Sequence, residues 1–499
     1  MKKASDALFR LAQAMTPSEK RYFHQYAQRH VVGEQNNYLQ LFQLISRQRN
    51  YDEAALKRAL PGETAAHFPV LKRQLFQLLL DCLSQYQRKA HPSEQVKRRI
   101  QAAGILKEKG LVKQARQELK AARKTINRYQ LFIHLPELLQ VEKSLLEQEV
   151  SRLPNTRKLG QWAAEWAEAL ESLEQEGRFG YYNLLMARRH YQKVSLSDKK
   201  EKSAVLELIN SSRFTQGKEV KSLLARMDYF RTLATYHFMA REPEKALACN
   251  QALLGLLDQH PFLRELHPSR YIVALNNFLI DNFQLKNWKA VEEGLAKLRS
   301  LPGQTAFKKL KGLKPKIFEQ SSLLELNMLI SQKAYQQAQR QVSSIEEGLS
   351  LFSSQIALHN KLTLQYLLAY ISFLNKNYSQ SLGLLNELLA AQSKGLMEEL
   401  FRFARLLQLL LHYELGNYEL LSYLIPSARR LHQGMQPAYQ TEALLLDTLR
   451  KLANAPDKKS KAEIVKSFQE SLEPLSSVAQ EARFFEYLDL WHWVQYFSL

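Results

Sequence analysis

Residues that break helices are scarce in this chain, and that scarcity constrains its fold more than any other feature. The 499 residues include only 17 glycines and 15 prolines, roughly half of average usage. About one residue in six is leucine, and no segment alternates polar and apolar side chains in the manner of a strand. Long helices with short connections fit this composition, whereas a β-sandwich, a barrel or a doubly wound sheet does not. The sequence therefore predicts an all-α fold.

Helix-boundary signals and composition divide the chain into three predicted parts. Residues 1–90 form an N-terminal helical region, in which Thr16–Glu19 is a capping box that opens a helix. Residues 91–215 form basic helical hairpins. Residues 216–499 form a regular array of hairpins that ends in an aromatic helix.

A short turn pattern recurs along the chain and indicates helical hairpins. Each copy has a turn residue, then an aromatic or apolar residue, and then a small or medium-sized residue three positions later. From Pro243 onward, consecutive copies lie about 45, 47, 43 and 40 residues apart. Each copy separates two leucine-rich stretches, as expected where one helix turns back on the next. The copies are Arg49–Ala54, Gly110–Ala115, Arg241–Ala246, Lys286–Val291, Gln332–Ala338, Lys376–Ser381 and Gly416–Leu421.

This pattern resembles the tetratricopeptide repeat, in which a small residue about twelve positions before the turn-following alanine lets two helices approach closely. Ala103, Ala234 and Ala369 occupy that position here. The period exceeds the roughly 34 residues of that family, so the chain is similar to a divergent, long-helix relative. The resemblance implies a right-handed solenoid of helical hairpins over residues 220–450. The segment Leu8–Phe23 also resembles the start of uncharacterised helical-repeat proteins of Bacteroidetes, which implies a bacterial source and names no function.

Motifs that mark a catalytic or metal site are absent from the sequence. It contains no phosphate-binding loop, dinucleotide-binding fingerprint, nucleophile elbow or zinc-peptidase motif. The two cysteines, Cys82 and Cys249, lie far apart inside leucine-rich stretches, and the 13 histidines are scattered. We therefore expect a protein that is not an enzyme and that carries no cofactor and no metal.

The chain is strongly basic, with 70 Lys and Arg residues, 49 Asp and Glu residues and a formal net charge of +21. Cations are densest over residues 97–128, where a cationic stripe runs beside an apolar seam on one predicted helix. Five or so aligned cations span roughly 20 Å, which matches several phosphates or an acidic helix. The stripe therefore predicts binding to an acidic protein surface or to RNA; the alternative is a solvated face that only aids solubility. The candidate binding residues are Lys109, Lys113, Arg116, Lys120, Arg123 and Lys124.

A second basic cluster lies in a connection that contains Pro302, Gly303 and Gly312. Long connections on a repeat scaffold often carry function, which favours an anion-binding role. Against this, lysine is a common loop residue and lacks the bidentate geometry of arginine. The cluster consists of Lys308, Lys309, Lys311, Lys314 and Lys316.

The last predicted helix is apolar on almost every face, whereas a terminal repeat should present polar residues outward. One interpretation is that this helix folds back onto the hairpins. The other is that it docks on a partner or on a second copy of the chain, with Trp491 and Trp493 as anchors.

These features favour a non-enzymatic protein–protein interaction scaffold, and the alternative is a nucleic-acid-associated protein that binds RNA phosphates through a basic helical face. The longest apolar run, Leu362–Leu374, is too short and too polar to span a bilayer. No apolar leader core follows the charged N-terminus, because Arg10 interrupts it. We expect a cytoplasmic protein without membrane insertion.

Overall fold

The computed structural model describes most of the chain, and the regular secondary structure of the described residues is helical. Within the described residues there are twenty-five α-helices, two short 3₁₀ segments and no β-strand, which confirms the predicted all-α class. The described residues are 6–28, 36–60, 62, 67–88, 91–149, 156–192, 199–211, 214, 220–308, 310–391 and 397–495.

The chain divides into two compact units. The first comprises Met1–Arg188 with Ser203–Tyr229, and the second comprises Arg189–Lys202 with Phe230–Leu499. The finer division at residues 90 and 215 stays a prediction. The helices that begin before residue 230 are α1 (Ala7–Ala14), α2 (Pro17–Gln28), α3 (Asn37–Arg47), α4 (Glu53–Arg58), α5 (Phe68–Arg88), α6 (Pro92–Glu108), α7 (Val112–Tyr129), α8 (Leu135–Glu149), α9 (Arg157–Tyr191), α10 (Lys199–Asn210) and α11 (Leu223–Met239).

In the first unit, local signals in the sequence explain where helices start and which faces they bury. The predicted capping box at α2 is present: the Glu19 amide donates to Thr16 Oγ1 at 3.3 Å, and the Thr16 amide donates to Glu19 Oε2 at 2.6 Å. Helices α1 to α5 share an apolar core that includes Phe23, Phe42 and Phe68.

The second unit contains most of the predicted hairpins. Its remaining helices are α12 (Pro243–Gln259), α13 (Pro261–Leu266), α14 (Pro268–Gln284), α15 (Trp288–Ser300), α16 (Leu313–Ser331), α17 (Tyr335–Leu351), α18 (Leu358–Leu374), α19 (Tyr378–Ala390), α20 (Glu398–Glu414), α21 (Tyr418–His432), α22 (Gln440–Ala453), α23 (Lys458–Ser476), α24 (Ala479–Tyr487) and α25 (Leu490–Gln495).

Six of the seven predicted turns share one backbone geometry. One residue of each has a positive φ, between 57° and 74°, and in the copy Gln332–Ala338 it is Lys333, one position after the predicted turn residue. The amide of the next residue donates to a carbonyl five residues earlier at 2.8 to 2.9 Å, which is the Schellman pattern at a helix C-terminus. The positive-φ residues are Gly110, Arg241, Lys286, Lys333, Lys376 and Gly416.

The last residue of the pattern is buried in each of these six copies. These residues are Ala115, Ala246, Val291, Ala338, Ser381 and Leu421. The small residues Ala103, Ala234 and Ala369 are buried as well, and Ser381 Oγ donates to the Ala369 carbonyl at 2.7 Å. Helix α6 packs against α7, and α18 packs against α19, as predicted for those two pairs.

The copy predicted at Arg49–Ala54 is not a turn of this kind. Helix α3 ends at Arg47, Gln48 continues in an extended conformation, and α4 starts only at Glu53 with Asp52 as its cap. Ala54 is consequently exposed. Here the prediction was wrong, because an ordinary N-cap in an extended connection replaces the left-handed residue of a hairpin.

Helices of the second unit pack mainly against their neighbours in sequence. The second helix of each hairpin contacts the first helix of the next, as α15 does with α16 and α17 with α18. First helices also contact one another, in the order α14, α16, α18, α20 and α22. Helices α18 and α20 are therefore covered on several sides and contribute a large share of the unit's buried apolar residues.

Candidate interaction surfaces

A groove of about 770 Å³ lies in the second unit between the first helices of the hairpins and helix α24. Asn327 contributes from α16, Thr363 from α18, and Arg483 and Glu486 from α24. We call the walls contributed by α16, α18 and α20 the inner surface. Its lining mixes hydroxyl, amide and charged groups with leucines, so it offers hydrogen-bonding partners as well as apolar contact.

The inner surface already holds the two-residue connection between α24 and α25. Between α24 and α25 the backbone is extended at Leu488, with φ −144° and ψ 100°. The Tyr366 hydroxyl donates to the Tyr487 carbonyl at 2.8 Å, and the Asp489 amide donates to the Tyr370 hydroxyl at 2.8 Å. Burial raises the pKa of the Tyr366 hydroxyl well above its ordinary value, so this donor keeps its proton.

The aromatic helix at the C-terminal end of the described chain packs onto the hairpins. Trp493 is buried, and its indole Nε1 donates to Glu414 at 2.7 Å. Trp491 is half-buried against the same apolar core. These contacts are those of a helix that folds back onto the hairpins. Docking of either tryptophan on a partner or on a second copy stays a prediction, and it requires α25 to detach from the hairpins.

The predicted cationic stripe lies on the exposed side of α7 and at the end of α6. Its apolar seam is confirmed, since Ala115, Leu119, Ala122 and Ile126 are buried. Lys113, Lys120 and Lys124 are exposed, as is Lys109.

Two arginines of the stripe have surroundings that the local sequence does not show. Arg123 forms ion pairs with Glu142 of α8 and Glu165 of α9, and Arg116 is half-buried. A count of acids within the segment misses these carboxylates, because they reach Arg123 only through the packing of later helices. The solvent-facing positive charge of the stripe therefore comes mainly from the exposed lysines.

The second basic cluster surrounds the start of α16. Lys308, Lys311, Lys314 and Lys316 are exposed, and Lys309 lies outside the described residues. Gly312 caps the helix at φ 68°. Cations at a helix N-terminus oppose the helix dipole, so these lysines do not stabilise α16 electrostatically.

A buried charged trio, unanticipated from the sequence, joins α20, α21 and α22. Glu442 Oε2 accepts hydrogen bonds from the Arg402 guanidinium, and Glu442 Oε1 pairs with His432 Nδ1 at 2.5 Å. The side chains of all three are only 5% to 6% exposed. Arg402 also donates to the Pro437 carbonyl at 2.7 Å and lies 4.8 Å from the ring centroid of Tyr439. No local spacing links these three residues, so only the tertiary structure shows the trio.

The described residues contain no group of three or more His, Cys, Asp or Glu side chains placed to hold a metal ion. In the same part of the chain, no helix has both the length and the apolar character needed to cross a membrane.

No protein family, curated protein or solved structure compared with the chain matches it.

Proposed function

We propose that this chain is a non-enzymatic protein-interaction scaffold of the helical-repeat type. In this proposal, the hairpins of the second unit stack as a right-handed, tetratricopeptide-like solenoid whose inner surface binds a segment of a partner protein. The common turn geometry and the contacts between consecutive first helices support the stacking. A cytoplasmic location belongs to the same proposal.

The observation that carries the proposal is the two-residue connection between α24 and α25, which two tyrosines hold. Tyr366 and Tyr370 bind a carbonyl and an amide of the backbone, and these groups are present in every peptide whatever its sequence. The groove continues past this segment with Asn327, Thr363 and Arg241 in its wall. These side chains supply amide, hydroxyl and guanidinium groups for further backbone or acidic side-chain contacts.

The test is selection of binding peptides from a random dodecapeptide display library on the full chain. Thr363→Trp fills the groove, and we expect it to weaken the selected peptides by more than about tenfold, a loss of about 1.4 kcal/mol or more. Fluorescence anisotropy with the synthesised peptides measures the change.

The matched control is Ser379→Trp, which adds the same ring at an exposed position on α19, outside the groove. It should leave affinity within about twofold of the parent chain. Failure to enrich any peptide, or equal binding by both variants, would contradict the proposal.

The second candidate function is association with RNA. It is favoured by the exposed lysines of α7, for which no carboxylate partner occurs among the described residues. Lys113, Lys120 and Lys124 follow one face, and eleven helical steps, or roughly 16 Å, separate the first from the last, which is the length of several phosphate spacings. An acidic protein surface of similar length would meet the same charges.

A further inference from the structure

The buried charged trio leaves one polar atom without a partner. A hydrogen bond between His432 Nδ1 and Glu442 fixes the orientation of the imidazole ring. The other ring nitrogen, Nε2, is buried and makes no hydrogen bond to any described group. A buried polar atom without a partner costs free energy, so its retention calls for an explanation.

A cavity of about 730 Å³ lies beside this histidine. Its volume is in the range of sites that bury a small organic molecule. Met435, Tyr439 and Leu446 give it apolar walls, while Arg429 and Arg430 bring positive charge.

The charges around the cavity do not balance. Glu442 is paired with Arg402, and Asp447 is paired with Arg429 at 2.8 Å. Arg430 is exposed and has no carboxylate partner in the described part of the chain. One guanidinium therefore lies in the wall without a counter-charge, and a carboxylate is the group that a guanidinium binds in a bidentate manner.

We propose that this cavity binds a small organic monoanion that carries a carboxylate and a hydroxyl group. The carboxylate pairs with Arg430, and the hydroxyl donates to His432 Nε2. The body of the ligand packs between Met435, Tyr439 and Leu446. This site is separate from the groove, and the inference does not rest on the scaffold function.

The test uses 4-hydroxybenzoate as the probe, titrated into the full chain by calorimetry and by ¹⁵N NMR of the histidine ring nitrogens. Benzoate lacks the hydroxyl, 4-hydroxybenzamide lacks the charge, and phenyl phosphate replaces the carboxylate. We expect 4-hydroxybenzoate to bind most tightly and to shift the His432 Nε2 resonance, and we expect removal of either group to weaken binding about tenfold.

Two variants separate binding from folding. His432→Asn keeps an amide donor toward Glu442 but removes Nε2, so it should bind 4-hydroxybenzoate no better than benzoate. Arg430→Gln removes the unmatched charge from an exposed side chain and should weaken both carboxylates about tenfold. Arg340→Gln is the matched control, because Arg340 is exposed on α17 and does not line the cavity.

Several outcomes would overturn the inference. One is that no carboxylate probe binds at millimolar concentration, which would make the trio a structural ion-pair network only. Another is equal binding by Arg430→Gln and Arg340→Gln. Tighter binding of phenyl phosphate than of 4-hydroxybenzoate would overturn the assignment to carboxylates.

Discussion

Asp281 shows how one buried carboxyl group sets a pH dependence. The residue lies on α14 and is 2% exposed, and its carboxylate accepts a hydrogen bond from Asn250 of α12, whose Nδ2 donates to Asp281 Oδ2 at 2.6 Å. Burial raises the pKa of Asp281 to about 6, against the opposing effect of the Asn250 hydrogen bond. Asn250 Oδ1 is buried without a partner in the same place.

Because the folded-state pKa of Asp281 is raised, its contribution to stability is fully present below its unfolded pKa of about 4 and is lost as pH rises through about 6. Asp281→Asn removes the ionisation and adds a donor near Asn250 Oδ1. We expect the variant to be more stable than the parent at pH 8 by up to about 3 kcal/mol and close to it at pH 4. Urea unfolding at the two pH values measures this.

Asp258→Asn serves as the comparison, since Asp258 is exposed and pairs with Lys297 and Arg264. Its change should stay within about 1 kcal/mol, the range of exposed ion pairs. If Asp281→Asn destabilised the chain at pH 8, the assigned origin of the pKa shift would be wrong.

At the scale of the helices, two glycines in equivalent second helices should respond oppositely to alanine. A Cβ at Gly348 on α17 would overlap the ring of Phe318 on α16, whereas a Cβ at Gly383 on α19 meets no atom within 4 Å. Gly348→Ala should lower the free energy of unfolding by about 1–3 kcal/mol through overpacking. Gly383→Ala should raise it by about 0.5–1 kcal/mol through helix propensity.

Thermal unfolding of both variants and of Gly348→Ala with Phe318→Leu tests this contrast. The added substitution at Phe318 makes room for the methyl group, so it should recover part of the loss. Equal stabilisation by both single variants would show that α16 and α17 do not pack as closely as described.

The helices and their turns were predictable because the signals are local. A turn residue, an aromatic or apolar residue and a small or medium-sized residue lie within six or seven positions, and all three act at one junction between two helices. The sequence did not distinguish Arg49, which has no positive φ, from Lys286, which turns in a left-handed conformation. Each is a basic residue followed by an asparagine and then an aromatic residue, and the surrounding helices decide which conformation is adopted.

At the scale of the molecule, the exposed lysines of α7 should control any binding to RNA. Lys113→Glu, Lys120→Glu and Lys124→Glu in one chain should flatten the dependence of log K on log salt by about 2, at roughly 0.7 per lost phosphate contact. Fluorescence anisotropy with a labelled single-stranded RNA at several salt concentrations measures the slope.

A second triple variant, Lys458→Glu, Lys459→Glu and Lys466→Glu, changes the net charge equally on exposed positions of α23. Its slope should match that of the parent chain. An equal effect of both triple variants would mean that total charge, and no particular face, attracts the RNA.

The candidate sites were less predictable than the fold because they depend on distant parts of the chain. The exposed lysines could be found from periodicity, since they share one helix. Other contacts arise only when separate helices pack: Arg123 forms ion pairs with two carboxylates, and His432 pairs with Glu442. Hydrophobic spacing predicts which face is buried, but it does not say which charged groups meet there.

The connection between α24 and α25 also has a consequence for the order in which the chain folds during its synthesis. Tyr366 and Tyr487 are separated by 121 positions, so the tyrosine leaves the ribosome long before the carbonyl that it binds. Each hairpin has its own contacts and can form as it is made, whereas this closure waits for the later residues. Until those residues are synthesised, the inner surface of the nascent chain is exposed. Any protein that binds the inner surface during that interval competes with the chain's own C-terminal segment.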